Sequence, residues 1–281
     1  MKNLSLTALC MAFTTVLALA GPLNAAPRYR YHDLGTLGGD NSEALGINRK
    51  GQVVGIAEDD FPVEWPFLKD PDQAMQNLGG FPGGGWVIGG TLGRAFGVNN
   101  AGQVVGWAYD ANGFPWAFLK KGNQDMENLG ALGGNASYAR GINDAGQVVG
   151  DAIDANGIFW AFQMNTGQAM QNLGSLKGEG SVAYAINNNG QVVGSADTGE
   201  GFDRAFLKNP NQKMMEDLGA LGGTWSKAYA INDRGWIVGE ANDADGRPRA
   251  FLKRPGHDME NLGGLGGTLS VAKASTTPAR W

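Results

Sequence analysis

The pentapeptide GQVVG occupies residues 51–55, returns unchanged at 102–106, 146–150 and 190–194, and becomes GWIVG at 235–239. A phenylalanine follows the first glycine of every copy by sixteen residues, and a [DN]-L-G triplet closes every unit. The phenylalanines are Phe67, Phe118, Phe162, Phe206 and Phe251. Motifs that recur in a fixed register every 44 to 51 residues predict an array of structural repeats.

Two tight turns punctuate each unit. Sequences such as INDAGQ at 142–147 place Asn first and Gly fourth between branched residues, and DANG at 110–113 and 154–157 gives a second turn. Both patterns indicate β-hairpins with glycine at positive φ. With a short strand at the [DN]-L-G triplet, the first unit has strands at roughly 43–48, 52–57, 64–69 and 75–78.

Four short antiparallel strands per repeat are typical of a propeller blade. We therefore predict an all-β propeller of about five four-stranded blades. The alternative is an open β-array with a partial sixth unit, which starts at Asn261-Leu262-Gly263. Because a propeller gains stability by joining its ends, we expect residues 31–35 and 258–274 to lie close together, with hydrogen bonds from at least one of them to a neighbouring blade.

The QVVG strand has one uniform face and one variable face. Because side chains alternate along a strand, one face carries Val53, Gly55 and Ala57 and their equally small counterparts in each copy. The residues on the opposite face at one shared position are Ile56, Trp107, Asp151, Ser195 and Glu240. The uniform small face predicts close packing against another sheet near the propeller axis.

Composition restricts the class of protein. Of the 281 residues, 42% are hydrophobic and 17% are charged, which is enough for a folded core. The 46 glycines fit a protein rich in tight turns. A formal net charge of −5 argues against nucleic acid and anionic lipid as partners.

The N-terminus has the layout of a secretory signal. Lys2 precedes an apolar stretch from Leu4 to Ala20, and small residues follow at Ala25 and Ala26. We predict a signal peptide at 1–25, cleaved near Ala25 or Ala26, and a single repeat domain at 26–281. The protein is then secreted or periplasmic, without an integral membrane segment after cleavage. The alternative is a membrane anchor. The single cysteine, Cys10, lies in the signal, so the mature chain has no disulfide.

The motifs DLGTLGG, S-x-A-x-x-IN-x-x-GQVVG and x-A-F at this spacing resemble the HAF-repeat family of bacterial extracellular proteins, from about Asp33 to Ala274. The family's histidine is absent here, and Trp or Arg precedes the apolar pair, as in Trp160-Ala161-Phe162. The resemblance implies a secreted or periplasmic repeat protein and no particular activity.

Asn99 follows Leu78 by 21 residues, against 14 in the other units, so seven residues are inserted in a stretch that contains GGFPGGGWVIGG at 79–90. Insertions in repeat proteins often lie on the binding face. We therefore predict that Trp86, in its middle, contacts a ligand. The alternative is that this loop folds over its own blade.

Four other tryptophans are candidate ligand-binding residues. Trp65, Trp116 and Trp160 each lie two residues before the repeated phenylalanine, and Trp107 lies on the variable strand face. Their rings offer surfaces on which sugars stack, although aromatic residues on a repeated strand more often pack between blades.

The sequence provides little for catalysis. His32 and His257 have no metal-ligand partner at useful spacing, and the DANG turns lack the distal glutamate of a calcium loop. Asp144 and Asp233 fall inside repeated turns, where such side chains cap the backbone. We predict no catalytic residue, metal or cofactor, and a non-catalytic binding or scaffolding module for carbohydrate or protein at the loop face. The alternative is a carbohydrate-active hydrolase on a propeller scaffold.

Overall fold

In the computed structural model, residues 32–84, 90–264, 266–267 and 269–273 are described, and they contain strands and turns but no helix. The strands form five four-stranded antiparallel sheets, and each sheet uses four strands that are consecutive in the chain. The predicted propeller of five four-stranded blades is therefore confirmed.

The strands follow the repeat closely. Blade 1 contains β1 (Gly38–Ile47), β2 (Val53–Asp59), β3 (Glu64–Lys69) and β4 (Gln76–Asn77). Blade 2 contains β5 (Gly93–Val98), β6 (Gln103–Tyr109), β7 (Pro115–Lys121) and β8 (Glu127–Asn128). Blade 3 contains β9 (Gly133–Ile142), β10 (Val148–Asp154), β11 (Phe159–Met164) and β12 (Gln171–Asn172). Blade 4 contains β13 (Ser181–Ile186), β14 (Val192–Asp197), β15 (Asp203–Lys208) and β16 (Glu216–Asp217). Blade 5 contains β17 (Gly222–Ile231), β18 (Ile237–Asp243), β19 (Pro248–Lys253) and β20 (Met259–Asn261).

Both predicted turns are present. In blade 3, the backbone N–H of Asn143 donates to Gln147 O at 3.1 Å, and the N–H of Gly146 donates to Asn143 O at 3.0 Å. Gly146 has φ of 78°, a conformation that glycine adopts without strain. In the DANG turn, the Asp154 N–H likewise donates to Ile158 O at 3.0 Å, and the Gly157 N–H donates to Asp154 O at 3.1 Å.

The small face of the QVVG strand packs against the preceding blade, as predicted. Val148 and Ala152 of blade 3 belong to one apolar cluster with Val105, Ala117 and Leu119 of blade 2. These side chains are almost fully buried, and the same arrangement joins the other neighbouring blades. Burial of apolar surface between sheets thus stabilises the contacts between successive blades.

The reason for the repeated glycine differs from the predicted one. A Cβ on Gly150 would lie 1.9 Å from the carbonyl oxygen of Tyr138, which belongs to β9 of the same blade and not to another sheet. The pairing of β9 with β10 shifts at this point: Ala139 pairs with Gly150 and Gly141 pairs with Val149, so Arg140 is an additional residue. This β-bulge requires the glycine.

The C-terminal segment continues the repeat pattern beyond blade 5. The Ala250 N–H donates to Ser270 Oγ at 2.9 Å, as Ala117 N–H donates to Ser137 Oγ at 2.9 Å between blades 2 and 3. The predicted hydrogen bonding of residues 258–274 to a neighbouring blade is confirmed for this segment. Its proximity to residues 31–35 stays a prediction.

Blades 1 and 5 meet through an ion pair, in which Arg49 Nη2 lies 2.7 Å from Asp233 Oδ2. The blade 1 face at the start of the described residues is more exposed than its counterparts. Ile47 is 71% exposed, whereas Ile186 and Ile231 at the same repeat position are 9% and 7% exposed.

All five blades lie in one compact unit, Leu34–Trp281. The predicted signal peptide, with Ala25 and Ala26, lies outside the described residues. Within the described ranges, no helix has the length and apolar character needed to cross a membrane.

Candidate binding site: the axial funnel

The bulge residue of each inner strand contributes to a shared cavity. Five such residues, one from each blade, together with Lys273 of the C-terminal segment, line a space of about 240 Å³. We call this cavity the axial funnel, and its lining residues are Leu45, Phe96, Arg140, Tyr184, Tyr229 and Lys273. Inner strands surround the axis of a propeller, so their bulges reach a common ligand-sized space.

The bulge explains how one scaffold presents five different side chains. In every blade the residue opposite the inner strand's kink is the last glycine of GQVVG, whose Cβ would lie 1.9 Å from a carbonyl oxygen of that strand. The close backbone contact therefore requires glycine at this position in every blade. The bulged residue has no partner in the strand pairing, and its identity varies from blade to blade. Bulges commonly redirect a side chain in this way at functional sites.

Arg140 is the best-anchored cation of the funnel. Its Nε donates to Asp151 Oδ1, and its guanidinium carbon lies 5.5 Å from the ring centroid of Tyr184 and 5.9 Å from that of Phe96. Burial raises the pKa of the Asp151 carboxyl, and the charge of Arg140 acts in the opposite direction. Desolvation works against the charge of Arg140, but Asp151 keeps the pKa of the guanidinium above its ordinary value. Arg140 is therefore a rigid cation between aromatic faces.

Two tyrosines form part of the funnel wall. The rings of Tyr184 and Tyr229 lie 5.2 Å apart between centroids in an edge-to-face arrangement. Burial, and then the hydrogen bond that the Tyr229 hydroxyl donates to Glu240 Oε1, raise the pKa of Tyr229. Tyr229 thus remains protonated. Lys273 Nζ lies 6.0 Å from the Tyr229 ring centroid, within range of a cation–π interaction.

A second axial cavity, of about 430 Å³, lies at the asparagine turns. Its polar side chains join one blade to the next: Asn99 Nδ2 donates to Asn143 O at 3.1 Å, and Asn143 Nδ2 donates to Asn187 O at 3.0 Å. The same contact links Asn48 to Asn99 at 2.8 Å and Asn187 to Asn232 at 2.9 Å. Because these groups are already used for blade contacts, the axial funnel is the better candidate for ligand binding.

Three of the predicted tryptophans anchor turns. The indole Nε1 of Trp65, Trp116 and Trp160 donates to a turn aspartate six residues earlier, at 2.8, 3.0 and 3.0 Å respectively. In blade 5, Arg249 Nε donates to Asp243 at 3.0 Å and replaces the indole. The tryptophans are only half-buried. The structure thus assigns their N–H groups to turn anchoring, and their ligand-binding role stays a prediction.

Trp107 contacts tyrosines beside the funnel. Its ring is edge-to-face with Tyr138 at 5.7 Å and with Tyr109 at 5.0 Å. Tyr138 in turn lies 5.8 Å below the Arg140 guanidinium carbon. Trp107 therefore supports the aromatic surroundings of Arg140. Trp86 lies outside the described residues, so its role stays a prediction.

The funnel residues were not predicted from the sequence, although their position in the repeat carries a signal. The position after the repeated alanine reads Leu45, Phe96, Arg140, Tyr184, Tyr229 and Lys273, and is variable inside an otherwise uniform motif.

In the described part of the chain, no three His, Cys, Asp or Glu side chains are grouped closely enough to hold a metal ion. His257 Nδ1 lies 2.9 Å from Pro255 O and is exposed.

No protein-family model matches the chain, and no curated protein matches it in sequence. Among solved structures, TolB from Acinetobacter baumannii is similar with a TM-score of 0.55 at 12% identity, covering 76% of this chain and 52% of TolB. The chain thus spans about half of that structure. The β-propeller domain of the trilobed protease from Pyrococcus furiosus has a TM-score of 0.42 at 9% identity, with 81% and 85% of the two chains covered. BP39L lectin from Burkholderia pseudomallei has a TM-score of 0.43 at 12% identity, with 79% and 67% covered. The similarity to TolB concerns the propeller fold.

Proposed function

We propose that this protein is an exported, non-catalytic binding or scaffolding module that holds a carbohydrate or protein ligand in the axial funnel. The observation that carries the proposal is the convergence of one bulged side chain per blade on a cavity of about 240 Å³. A convergent set of aromatic and cationic side chains in a concave site is the usual composition of a ligand pocket.

The carboxylates around the funnel support binding rather than hydrolysis. Asp151 accepts a hydrogen bond from Arg140, and Glu240 accepts one from Tyr229. A glycoside hydrolase needs one carboxyl group as acid and a second as base or nucleophile on either side of the scissile bond. Both funnel carboxylates instead position neighbouring side chains, which favours the binding module over the carbohydrate-active hydrolase.

Export is the second part of the proposal. The charged, apolar and small-residue order of residues 1–26 supports a cleaved signal peptide and a secreted or periplasmic location. Membership of the HAF-repeat family, which is supported by the repeated motifs, agrees with that location. Detection of residues 26–281 outside the cytoplasm of an expressing bacterium, with a new N-terminus near Ala25 or Ala26, tests this part.

The binding function is tested with the mature chain, residues 26–281, on a glycan array and against extracellular protein extracts, scored for both retention and cleavage. We expect a retained ligand whose binding is weakened by Phe96→Ala and Tyr184→Ala. Phe61→Ala is the matched control, because Phe61 is 76% exposed and is not part of the funnel lining. Release of reducing sugar would favour the hydrolase instead.

A further inference from the structure

The funnel has six contributors, and the sixth comes from a repeat that has no blade of its own in the described residues. The sequence SVAK at 270–273 matches SYAR at 137–140 and SKAY at 226–229, so Lys273 occupies the position of Arg140 and Tyr229. The geometry agrees with the sequence register, because Lys273 lines the same cavity as those two residues.

Hydrogen bonds hold this segment as an inner strand would be held. Ser270 Oγ accepts from Ala250 N–H at 2.9 Å and donates to Gly263 O at 2.7 Å. Two residues later, the Ala272 N–H donates to Gly239 O at 3.3 Å. The backbone immediately before Lys273 is therefore held in place by hydrogen bonds to blade 5.

Lys273 differs from the other funnel cation in its charge balance. Arg140 is paired with Asp151, whereas no carboxylate of the described residues lies within 4.0 Å of Lys273 Nζ. In a chain with a formal net charge of −5, a cation at an aromatic cavity, with no ion-pair partner among the described residues, is suited to an anionic ligand.

We propose that the C-terminal segment at 270–273 completes a site for a uronic acid, in which Lys273 binds the carboxylate and the sugar ring packs against Tyr184 and Tyr229. This inference rests on the proposed function, because it takes the funnel as the binding site. The cavity of about 240 Å³ lies below the range of about 300–1,000 Å³ that accommodates drug-sized ligands. It therefore has room for a single sugar ring rather than for a sugar chain. Aromatic faces bind the apolar face of a sugar ring, and a lysine supplies a charge-assisted hydrogen bond to its carboxylate.

The test uses the mature chain and four probes: glucuronic acid and galacturonic acid, with glucose and galactose as their neutral partners. Titrations followed by saturation-transfer NMR should show that the acids bind. The affinity of the neutral sugars should be lower by roughly fivefold or more, since a charged hydrogen bond contributes more than a neutral one. Added salt should weaken binding of the acids.

Substitutions assign the effect to Lys273. We expect Lys273→Met to abolish the preference for the acids and Lys273→Arg to retain it. Lys213→Met is the matched control, because it removes the same charge from an exposed loop outside the funnel lining. Lys273 is itself exposed, so melting temperatures of all three variants should stay near that of the unmodified chain.

Equal binding of acidic and neutral sugars, or an unchanged preference in Lys273→Met, would overturn the inference. A peptide that binds through a free C-terminal carboxylate, but not when amidated, while uronic acids do not bind, would overturn it as well. If the array finds another ligand that requires Tyr184, the binding function stands and the uronic acid assignment fails. If no ligand depends on any funnel residue, both proposals fail.

Discussion

A Cβ placed on Gly150 would lie 1.9 Å from the carbonyl oxygen of Tyr138, far closer than an unbonded carbon and oxygen can approach. The same distance separates a Cβ on Gly106 from the Arg94 carbonyl oxygen. Each of these carbonyl groups lies two residues before the bulged side chain that lines the funnel. The invariant glycine of the repeat and the variable side chain that lines the funnel therefore belong to the same β-bulge.

Gly150→Ala should destabilise the protein by about 2 kcal/mol or more, because the new methyl group meets backbone that cannot turn away as a side chain would. Gly80→Ala is the control, since a Cβ there has no neighbour closer than 4.0 Å. Chemical denaturation of both variants measures the difference. Equal unfolding free energies for the two would show that the bulge does not require glycine.

The blades could be predicted from the sequence because each repeated residue meets a structural requirement within its own blade. Turn residues such as Asn143 and Gly146, and the buried Phe162, satisfy constraints inside one blade, and each recurs wherever that constraint recurs. The funnel could not be predicted in the same way. Arg140 and Tyr229 reach one cavity only after five sheets are arranged around an axis, and their positions vary because no backbone contact fixes them.

The glycine was correctly identified as a site of close approach but was assigned the wrong neighbour. Period-two alternation locates a small face, as it does for Val148 and Ala152, and cannot show a register shift between two strands. A bulge adds one residue to one strand without any obligatory sequence mark apart from the glycine opposite it.

Asn143→Ala should lower the unfolding free energy by about 2–4 kcal/mol, since it leaves buried backbone groups without partners. Asn143 is 4% exposed, its Oδ1 accepts from the N–H groups of Ala145 and Gln147 at 3.1 and 3.0 Å, and its Nδ2 donates to Asn187 O at 3.0 Å. The variant removes both a turn cap and a contact between blades 3 and 4.

Asn156→Ala provides the comparison for that experiment, because Asn156 lies in the exposed DANG turn of the same blade. Denaturant titration should find it within about 0.5 kcal/mol of the unmodified protein, as for most surface substitutions. A similar loss of stability in both variants would mean that the hydrogen bonds between asparagine turns do not couple the blades.

Acid should destabilise the protein through the turn aspartates. The Ile158 N–H and Trp160 Nε1 both donate to Asp154 at 3.0 Å, and these hydrogen bonds lower the pKa of its carboxyl below the usual 3.8. A group whose pKa is lower in the folded state contributes stability above its unfolded pKa, and that contribution is lost as the pH falls through the folded pKa. The pKa values of Asp59, Asp110, Asp144 and Asp243 are shifted in the same direction.

We therefore expect the melting temperature to fall below about pH 4, and to fall less steeply in Asp154→Asn, which no longer titrates at this turn. Burial raises the pKa of Asp151, which acts in the opposite direction, so the informative quantity is the difference between the variant and the unmodified protein. Parallel curves of melting temperature against pH would contradict the prediction.

Trp86→Ala should leave the melting temperature within a few degrees while weakening the binding of a ligand found on the array, if the inserted loop lies on the binding face. Thermal melts and titrations of the same preparation separate the two effects. A large loss of stability with unchanged binding would instead favour a loop that covers its own blade.

Removal of residues 266–281 should destabilise the protein far more than trimming a chain end normally does. Ser270 Oγ accepts from the Ala250 N–H at 2.9 Å, and the Ala272 N–H donates to Gly239 O at 3.3 Å, so the truncation exposes backbone groups and apolar surface of blade 5. Ala250 and Leu252, which are now 7% and 4% exposed, would gain contact with water. The control is a chain that ends at residue 273 and keeps both hydrogen bonds. We expect this control to melt near the full mature chain and the longer truncation to melt well below it. If both truncations melt together with the full chain, the segment is a passive remnant of the repeat rather than the cover of the last blade.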